Sequence, residues 1–186
     1  MHTPDTASTP LDPAITTEEV DFLVIGSGAG GLTAAIRSHD LGLKTLVIEK
    51  SRYYGGTSAM SGGSLWIPNN HQMRAAGIPD SREEALTYLT TITRGEVAPD
   101  RLEAFVDKAP AMLKYLADHD DLHCNALPRY SDYYPNAPGA KPGARTLEAK
   151  RFCTLKLGWE LRRLRPPHPG CVSFGRLHMT SDDAWH

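Results

Sequence analysis

The 186-residue chain carries 20 Lys and Arg against 22 Asp and Glu, a net charge of −2, with 40% hydrophobic and 23% charged residues. At ~150 residues per domain this is one to one and a half domains of ordinary globular composition, which excludes fibrous and disordered classes. No apolar run approaches the ~18 residues of a membrane span. The N-terminus lacks the basic start and apolar core of a secretory signal. Three separated cysteines, Cys124, Cys153 and Cys171, argue against a disulfide scaffold and for a reducing cytoplasm.

The balance hides an asymmetry: residues 1–140 hold 11 basic and 18 acidic side chains, residues 141–186 hold 9 and 4. Only Arg162, Arg163 and Arg165 cluster, and no nucleic-acid motif accompanies them. The basic quarter reads as a solvated or docking surface, with no nucleic-acid partner.

In chain order, residues 1–19 are rich in Pro, Thr and Asp and read as a mobile tail. The apolar run DFLVIG at 21–26 has the length of a strand covered on both faces. A helix follows to about Asp40, with Leu32, Ala35, Ile36 and His39 on one face. Gly42 closes it, and KTLVIEK at 44–50 is a second buried-type strand. Strand, helix and strand within ~30 residues make a βαβ unit.

After a glycine-rich stretch at 55–63, Ser81 and Glu84 form a capping box for a helix with a stripe of Leu86, Leu89 and Ile92. Asp100 and Glu103 open another helix with Leu102, Phe105, Val106 and Ala109 facing inward. Pro110 is expected to kink it or start a successor. Residues 124–147 read as strand or loop, rich in Tyr, Pro and Gly. Thr180 to Asp183 look like a helix start, but the sequence stops at His186 before a helix can form, so the chain is expected to be the N-terminal piece of a longer protein.

The chemistry begins at Gly26, Ser27, Gly28, Ala29, Gly30 and Gly31, between the first strand and its helix. Gly26 permits the tight turn, Gly28 lets backbone approach a pyrophosphate, and Gly31 lets the helix pack against the strands. The helix N-terminus aims N–H groups and partial positive charge at the phosphates. Glu49, at the end of the second strand and followed by Lys50, is placed to accept hydrogen bonds from ribose hydroxyls and to repel a 2′-phosphate. This fingerprint does not separate FAD from NAD. The next stretch favours FAD: Gly55, Gly56, Thr57, Ser58, Ser61, Gly62 and Gly63 offer backbone and hydroxyls to a diphosphate or a flat isoalloxazine ring.

The segment IEKSRYYGGTSAMSGGSLWIPNN at 48–70, behind the fingerprint, resembles the FAD-dependent 3-ketosteroid Δ1-dehydrogenases of the fumarate reductase/succinate dehydrogenase flavoprotein group. SDYYP at 131–135 and GARTLE at 143–148 resemble them too. The resemblance implies an α/β fold: a Rossmann-like FAD-binding βαβ unit with helical additions and the start of a substrate-capping domain, incomplete. Its parts would be a tail at 1–19, the N-terminal part of the FAD domain at 20–125 and the start of the substrate domain at 126–186. It also implies hydride transfer from steroid C1 to flavin N5 while a tyrosinate takes the C2 proton. The substrate would be a 3-ketosteroid or similar apolar ketone, and electrons would pass to an external acceptor. Tyr133 matches the tyrosine that assists the base. The base itself and the carbonyl-polarising pair would lie beyond residue 186.

Alternatives remain: another flavoprotein of the same group, an inactive truncated product, or an NAD-binding regulator. His119 and His123, beside Asp120, Asp121 and Cys124, suggest a metal only weakly; they read as a polar helix end, and no metal is expected.

Overall fold

The computed structural model describes residues 17–119, 122–150, 152–168, 172–173 and 177–178. The tail up to residue 16, Asp120, Asp121, Cys171 and the helix start expected at Thr180 lie outside them. The chain forms two compact units, residues 1–56 and 57–186.

The first unit is the expected βαβ. Strand β1 (Phe22–Ile25), helix α1 (Ala29–Asp40) and strand β2 (Thr45–Ile48) follow in order. The strands pair in parallel, Phe22 against Thr45 through Ile25 against Ile48. Val24 is buried, but Leu23 is 49% and Ile25 80% exposed, which corrects the expectation of strands covered on both faces. A two-stranded sheet with one helix has too little protein to cover the second face. The inward face of α1 is corrected as well: His39 is exposed, and Ser38 is the buried position. Ser38 satisfies its hydroxyl on the Ala35 carbonyl at 2.9 Å and on the Thr45 hydroxyl at 2.7 Å, so a polar residue faces β2 without an orphaned group. Gly42, at φ 78°, ends the helix by donating to the His39 carbonyl.

The second unit contains β3 (Leu65–Trp66), α2 (His71–Ala75), α3 (Arg82–Thr93), α4 (Pro99–His119), β4 (Cys124–Ala126) and β5 (Thr146–Ala149). A nine-residue 3-10 segment (Thr154–Arg162) and two short paired strands, β6 (Val172–Ser173) and β7 (Leu177–His178), follow. Strand β5 lies between β3 and β4, antiparallel to both. Residue 125, the expected limit of the cofactor part, falls in β4. The core joins Ile67, Ala109, Leu113, Cys124 and Leu147. Gly143 runs against the Pro128 carbonyl so closely that an added Cβ would overlap it. Asn70 is fully buried. Its amide donates to the Ile67 and Ala144 carbonyls at 2.8 and 3.1 Å, and its oxygen accepts the Met73 N–H at 2.8 Å, capping α2.

The helical expectations need three further corrections. Only half of the capping box forms: Ser81 accepts the Glu84 N–H at 3.1 Å, but the Ser81 N–H goes to Asp80. Glu84 pairs instead with Lys141 at 2.8 Å, which gives its carboxylate a full charge partner. The buried face of α3 is Ala85 and Tyr88; Leu86, Leu89 and Ile92 are half-buried beside it. In α4, Leu102, Val106 and Ala109 turn inward as expected. Phe105 is exposed, stacking on Trp66 at 6.1 Å between ring centres. Pro110 neither ends α4 nor starts a new helix, since α4 continues for nine residues to His119. The helix gives up one backbone hydrogen bond there, and Leu113 and Leu116, buried beyond it, hold the following turns.

Candidate nucleotide turn and tyrosine loop

Gly26 ends β1 at φ 96°, a left-handed conformation that disfavours any side chain. Its N–H donates to the Ile48 carbonyl at 2.8 Å, closing the turn onto β2. Gly28 caps α1 in an extended conformation, and no side chain caps the helix N-terminus. The first turn carries no acidic residue. A Cβ on Gly31 would overlap the Gly26 carbonyl and meet Val24 Cγ1 at 3.2 Å, so this glycine is what lets helix and strand touch. A Cβ on Gly56 would come 3.2 Å from Gly28 Cα.

Glu49 points into this turn. Its Oε2 accepts the Ser27 N–H at 2.9 Å and the Ser27 hydroxyl at 2.6 Å, and its Oε1 accepts the Ser51 N–H at 3.0 Å. The buried Ser27 hydroxyl also accepts the Gly55 N–H at 3.1 Å. A hydroxyl here therefore links the carboxylate to the following loop. Three charge-assisted hydrogen bonds fix the orientation of Glu49. Lys50 is exposed. The helix N-terminus without a side-chain cap, the Cβ-free approach of Gly28 and Gly56 and the fixed carboxylate fit a dinucleotide.

In the second unit, Thr57 precedes a single 3-10 turn (Ser58–Met60), and the exposed Ser61 donates its hydroxyl to the Ser58 carbonyl at 2.9 Å. Gly62 and Gly63 are also exposed, Gly63 at φ 74° and donating to the Ser61 hydroxyl.

The loop that carries Tyr133 is pinned from below by a buried charge network. Arg145 is fully buried. It grips Asp80 through Nε at 2.9 Å and Nη2 at 2.7 Å, and reaches Asp132 through Nη1 at 2.9 Å. Its guanidinium lies 5.5 Å from the Trp66 ring centre and 5.6 Å from that of Tyr88, within cation–π range. Asp132 also accepts Trp66 Nε1–H at 2.7 Å and the Lys141 N–H at 2.8 Å. Burial pushes the Asp80 carboxyl up, but the Arg145 and Asn69 hydrogen bonds outweigh it and hold it below the ordinary value. Burial pulls the Arg145 guanidinium down, and the two aspartates more than reverse that.

Above the network, Tyr133 is 82% exposed. It lines a hollow of about 200 Å³ with Leu65, Trp66, Tyr88, Leu89 and Thr146. Its ring meets that of Tyr130 at 6.4 Å between centres, tilted by 59°, and the neighbouring Tyr133 phenol pushes the Tyr130 phenol above its ordinary value.

The sequence reading singled out the turn, Glu49 and Tyr133 but not Asp80, nor the pairing of Asp132 with Arg145. The last two stand in SDYYP and GARTLE, yet their partner Asp80 is 65 residues from Arg145. The one available signal was a lone arginine in the GARTLE stretch, just before β5. Among the described residues no group of His, Cys, Asp and Glu can hold a metal. The His119 ring lies against Tyr115, with Nδ1 3.0 Å from the Tyr115 carbonyl oxygen. No described helix is long and apolar enough to cross a membrane.

Residues 21–171 match the FAD binding domain family. The chain is 44% identical over 168 residues to a 3-oxosteroid 1-dehydrogenase of Mycobacterium tuberculosis, covering 90% of this chain and 30% of that protein. It is 41% identical over 128 residues to a 4-oxocyclohexanecarboxylate 2-dehydrogenase of Sinomonas cyclohexanicum, covering 69% of this chain and 22% of the relative. A crystal structure of 3-ketosteroid Δ1-dehydrogenase from Sterolibacterium denitrificans, in complex with 1,4-androstadiene-3,17-dione, superposes with a TM-score of 0.80 at 50% identity. That match covers 89% of this chain and 29% of the other. The chain thus spans less than a third of the length of these relatives.

Proposed function

The chain belongs to the FAD binding domain family, and from that premise we propose that it is the cofactor-holding part of a dehydrogenase that desaturates ring A of a 3-oxosteroid. One observation supports this above others. A single chain joins a glycine turn closed by an oriented Glu49 to a loop presenting Tyr133 beside a largely apolar hollow.

In this reading the backbone N–H groups at the start of α1 face the diphosphate, and Gly26, Gly28 and Gly31 keep side chains out of its way. Glu49 accepts hydrogen bonds from the ribose hydroxyls, and its charge turns away a 2′-phosphate. When bound, FAD supplies the two-electron acceptor for the hydride. Tyr133 presents a phenol oxygen that hydrogen-bonds to the proton-removing base, because an unassisted phenol of pKa ~10 is a poor base near neutrality. Electrons leave to a separate acceptor. We place the protein in the cytoplasm, where the free thiols of Cys124 and Cys153 stay reduced.

The test is direct. The purified chain is expected to bind FAD, seen as a yellow protein with a flavin absorbance band, and Glu49→Gln is expected to weaken binding about tenfold, the equivalent of one charged hydrogen bond. Protection from melting by NADH and not by FAD would overturn the cofactor assignment. A second reading follows from the Sinomonas relative, whose 41% identity is close to that of the steroid enzymes: the substrate is a monocyclic 4-oxo acid. A protein extended to the length of the relatives separates the two readings by which ketone it dehydrogenates.

A further inference from the structure

Two residues that line the hollow, Ser131 and Tyr133, flank Asp132, which is buried. The Asp132 carboxylate is shared between the wall of the hollow and the neck of the tyrosine loop. Its Oδ1 accepts Nε1–H of Trp66, a wall residue, at 2.7 Å. Its Oδ2 accepts the Lys141 N–H at 2.8 Å and Arg145 Nη1–H at 2.9 Å. The Asp132 N–H donates back to the Lys141 carbonyl at 3.0 Å, so residues 133–140 form a loop closed at its neck. Farther round, the loop is wedged on α3. The Tyr134 N–H donates to the Tyr88 hydroxyl at 3.3 Å, and a Cβ on Gly139 would overlap the Glu84 carbonyl.

We infer that Asp132 is the positioning residue for Tyr133: one carboxylate ties the Trp66 wall of the hollow to the backbone that bears the phenol, and so sets where the phenol oxygen stands over a ring lying against that wall. The inference deepens the reading proposed above and rests on it for the role of Tyr133. The Tyr133 ring is largely exposed, so few side-chain contacts hold it and its placement comes from the backbone. Placement matters because a proton-transfer group works only within hydrogen-bond reach, and an error of about 1 Å can cost about 100-fold in rate. A carboxylate suits the task. It is an acceptor only, so an indole N–H, a backbone N–H and a guanidinium can all donate to it. An asparagine has one acceptor oxygen and would turn an N–H towards one of those donors. The other two charges have a different part. Arg145 neutralises Asp132, whereas Asp80 bonds to Arg145, Asn69 and Ser81.

The experiment compares three variants of the 186-residue chain by hydrogen exchange at the Tyr134 amide and by carbon-13 relaxation of a ring-labelled Tyr133. Asp132→Asn is expected to speed the Tyr134 exchange about tenfold and to widen the motion of the Tyr133 ring, as the loss of one charge-assisted hydrogen bond implies. Trp66→Phe keeps a ring beside Arg145 and removes the N–H donor. It is expected to loosen Tyr133 in the same way but less, and it serves as the test if Asp132→Asn does not fold. Asp80→Asn is expected to lower stability while leaving the Tyr134 exchange and the Tyr133 ring as they were. Equal loosening by all three variants, or by none, overturns the inference. A second readout uses an FAD-loaded protein extended to the length of the relatives. There Asp132→Asn is expected to lower kcat about tenfold with KM within about twofold, and the loss is expected to vanish in a Tyr133→Phe background. Losses that simply add would equally overturn the inference. The exchange readout needs neither flavin nor ketone, so its failure removes Asp132 alone, whereas failure of the dehydrogenase reading shows in the FAD titration.

Discussion

The two units build their sites by opposite means. The nucleotide turn of the first is made by leaving side chains out: Gly26 turns left-handed, Gly31 admits the helix, and one carboxylate is clamped by local N–H and O–H groups. The tyrosine loop of the second is made by adding charge: three ionised side chains are buried together, and the loop rests on them. The first kind of site depends on space and on residues close in sequence. The second depends on long-range pairing and carries the desolvation cost of three charges. Damage should therefore take a different form in each.

The largest effect is expected in the second unit. Arg145→Leu leaves Asp80 and Asp132 buried without their cation, and breaking a buried pair from one side costs about 3–5 kcal/mol. Denaturant unfolding followed at Trp66 is expected to show that loss, and a cost under about 1 kcal/mol would mean the aspartates find water. Next comes Gly31→Ala, whose methyl meets the Gly26 carbonyl and Val24; overpacking of this kind costs about 1–3 kcal/mol. Amide exchange is expected to quicken in β1 and β2 and to stay unchanged in β5; an even rise across the chain would erase the distinction between the units.

A smaller effect separates the two by pH. The Asp80 carboxyl is held below its ordinary value. Its ionised form therefore contributes stability that is complete above about pH 4 and is lost as the pH falls through the folded value. Acid titration is expected to release the Trp66 environment below pH 4, and Asp80→Asn is expected to flatten that limb. Smallest is Ser81→Ala, which removes one N-cap hydrogen bond of α3 and is expected to lower stability by about 1 kcal/mol without moving the pH limb.

The same contrast explains what the sequence revealed. The geometry of Gly26, Gly28, Gly31 and Glu49 is legible because all four lie within one βαβ unit, where spacing alone decides the turn. Tyr133 was reached through the SDYYP resemblance, and neither its exposure nor its ring contact with Tyr130 follows from residue type. Asp80 was read past as the residue before a helix cap, because a pairing across 65 positions leaves no local pattern. The α3 stripe slipped for a related reason. Leucine spacing favours Leu86 and Leu89, but Trp66 at 5.7 Å and Arg145 at 5.6 Å draw Tyr88 to the buried face. Pro110 misled because buried leucines one and two turns later outweigh the lost hydrogen bond.

Asn70 sets a chemical limit on what this part of the fold tolerates. Its buried amide nitrogen serves two carbonyls, so an aspartate here would exchange a donor for a negative charge facing two oxygens. That exchange alters one side-chain atom and erases the link between Ile67, just after β3, and Ala144, just before β5. Asn70→Asp is therefore expected to loosen the second unit far more than the same exchange at an exposed amide, because neither carbonyl there can donate to a carboxylate.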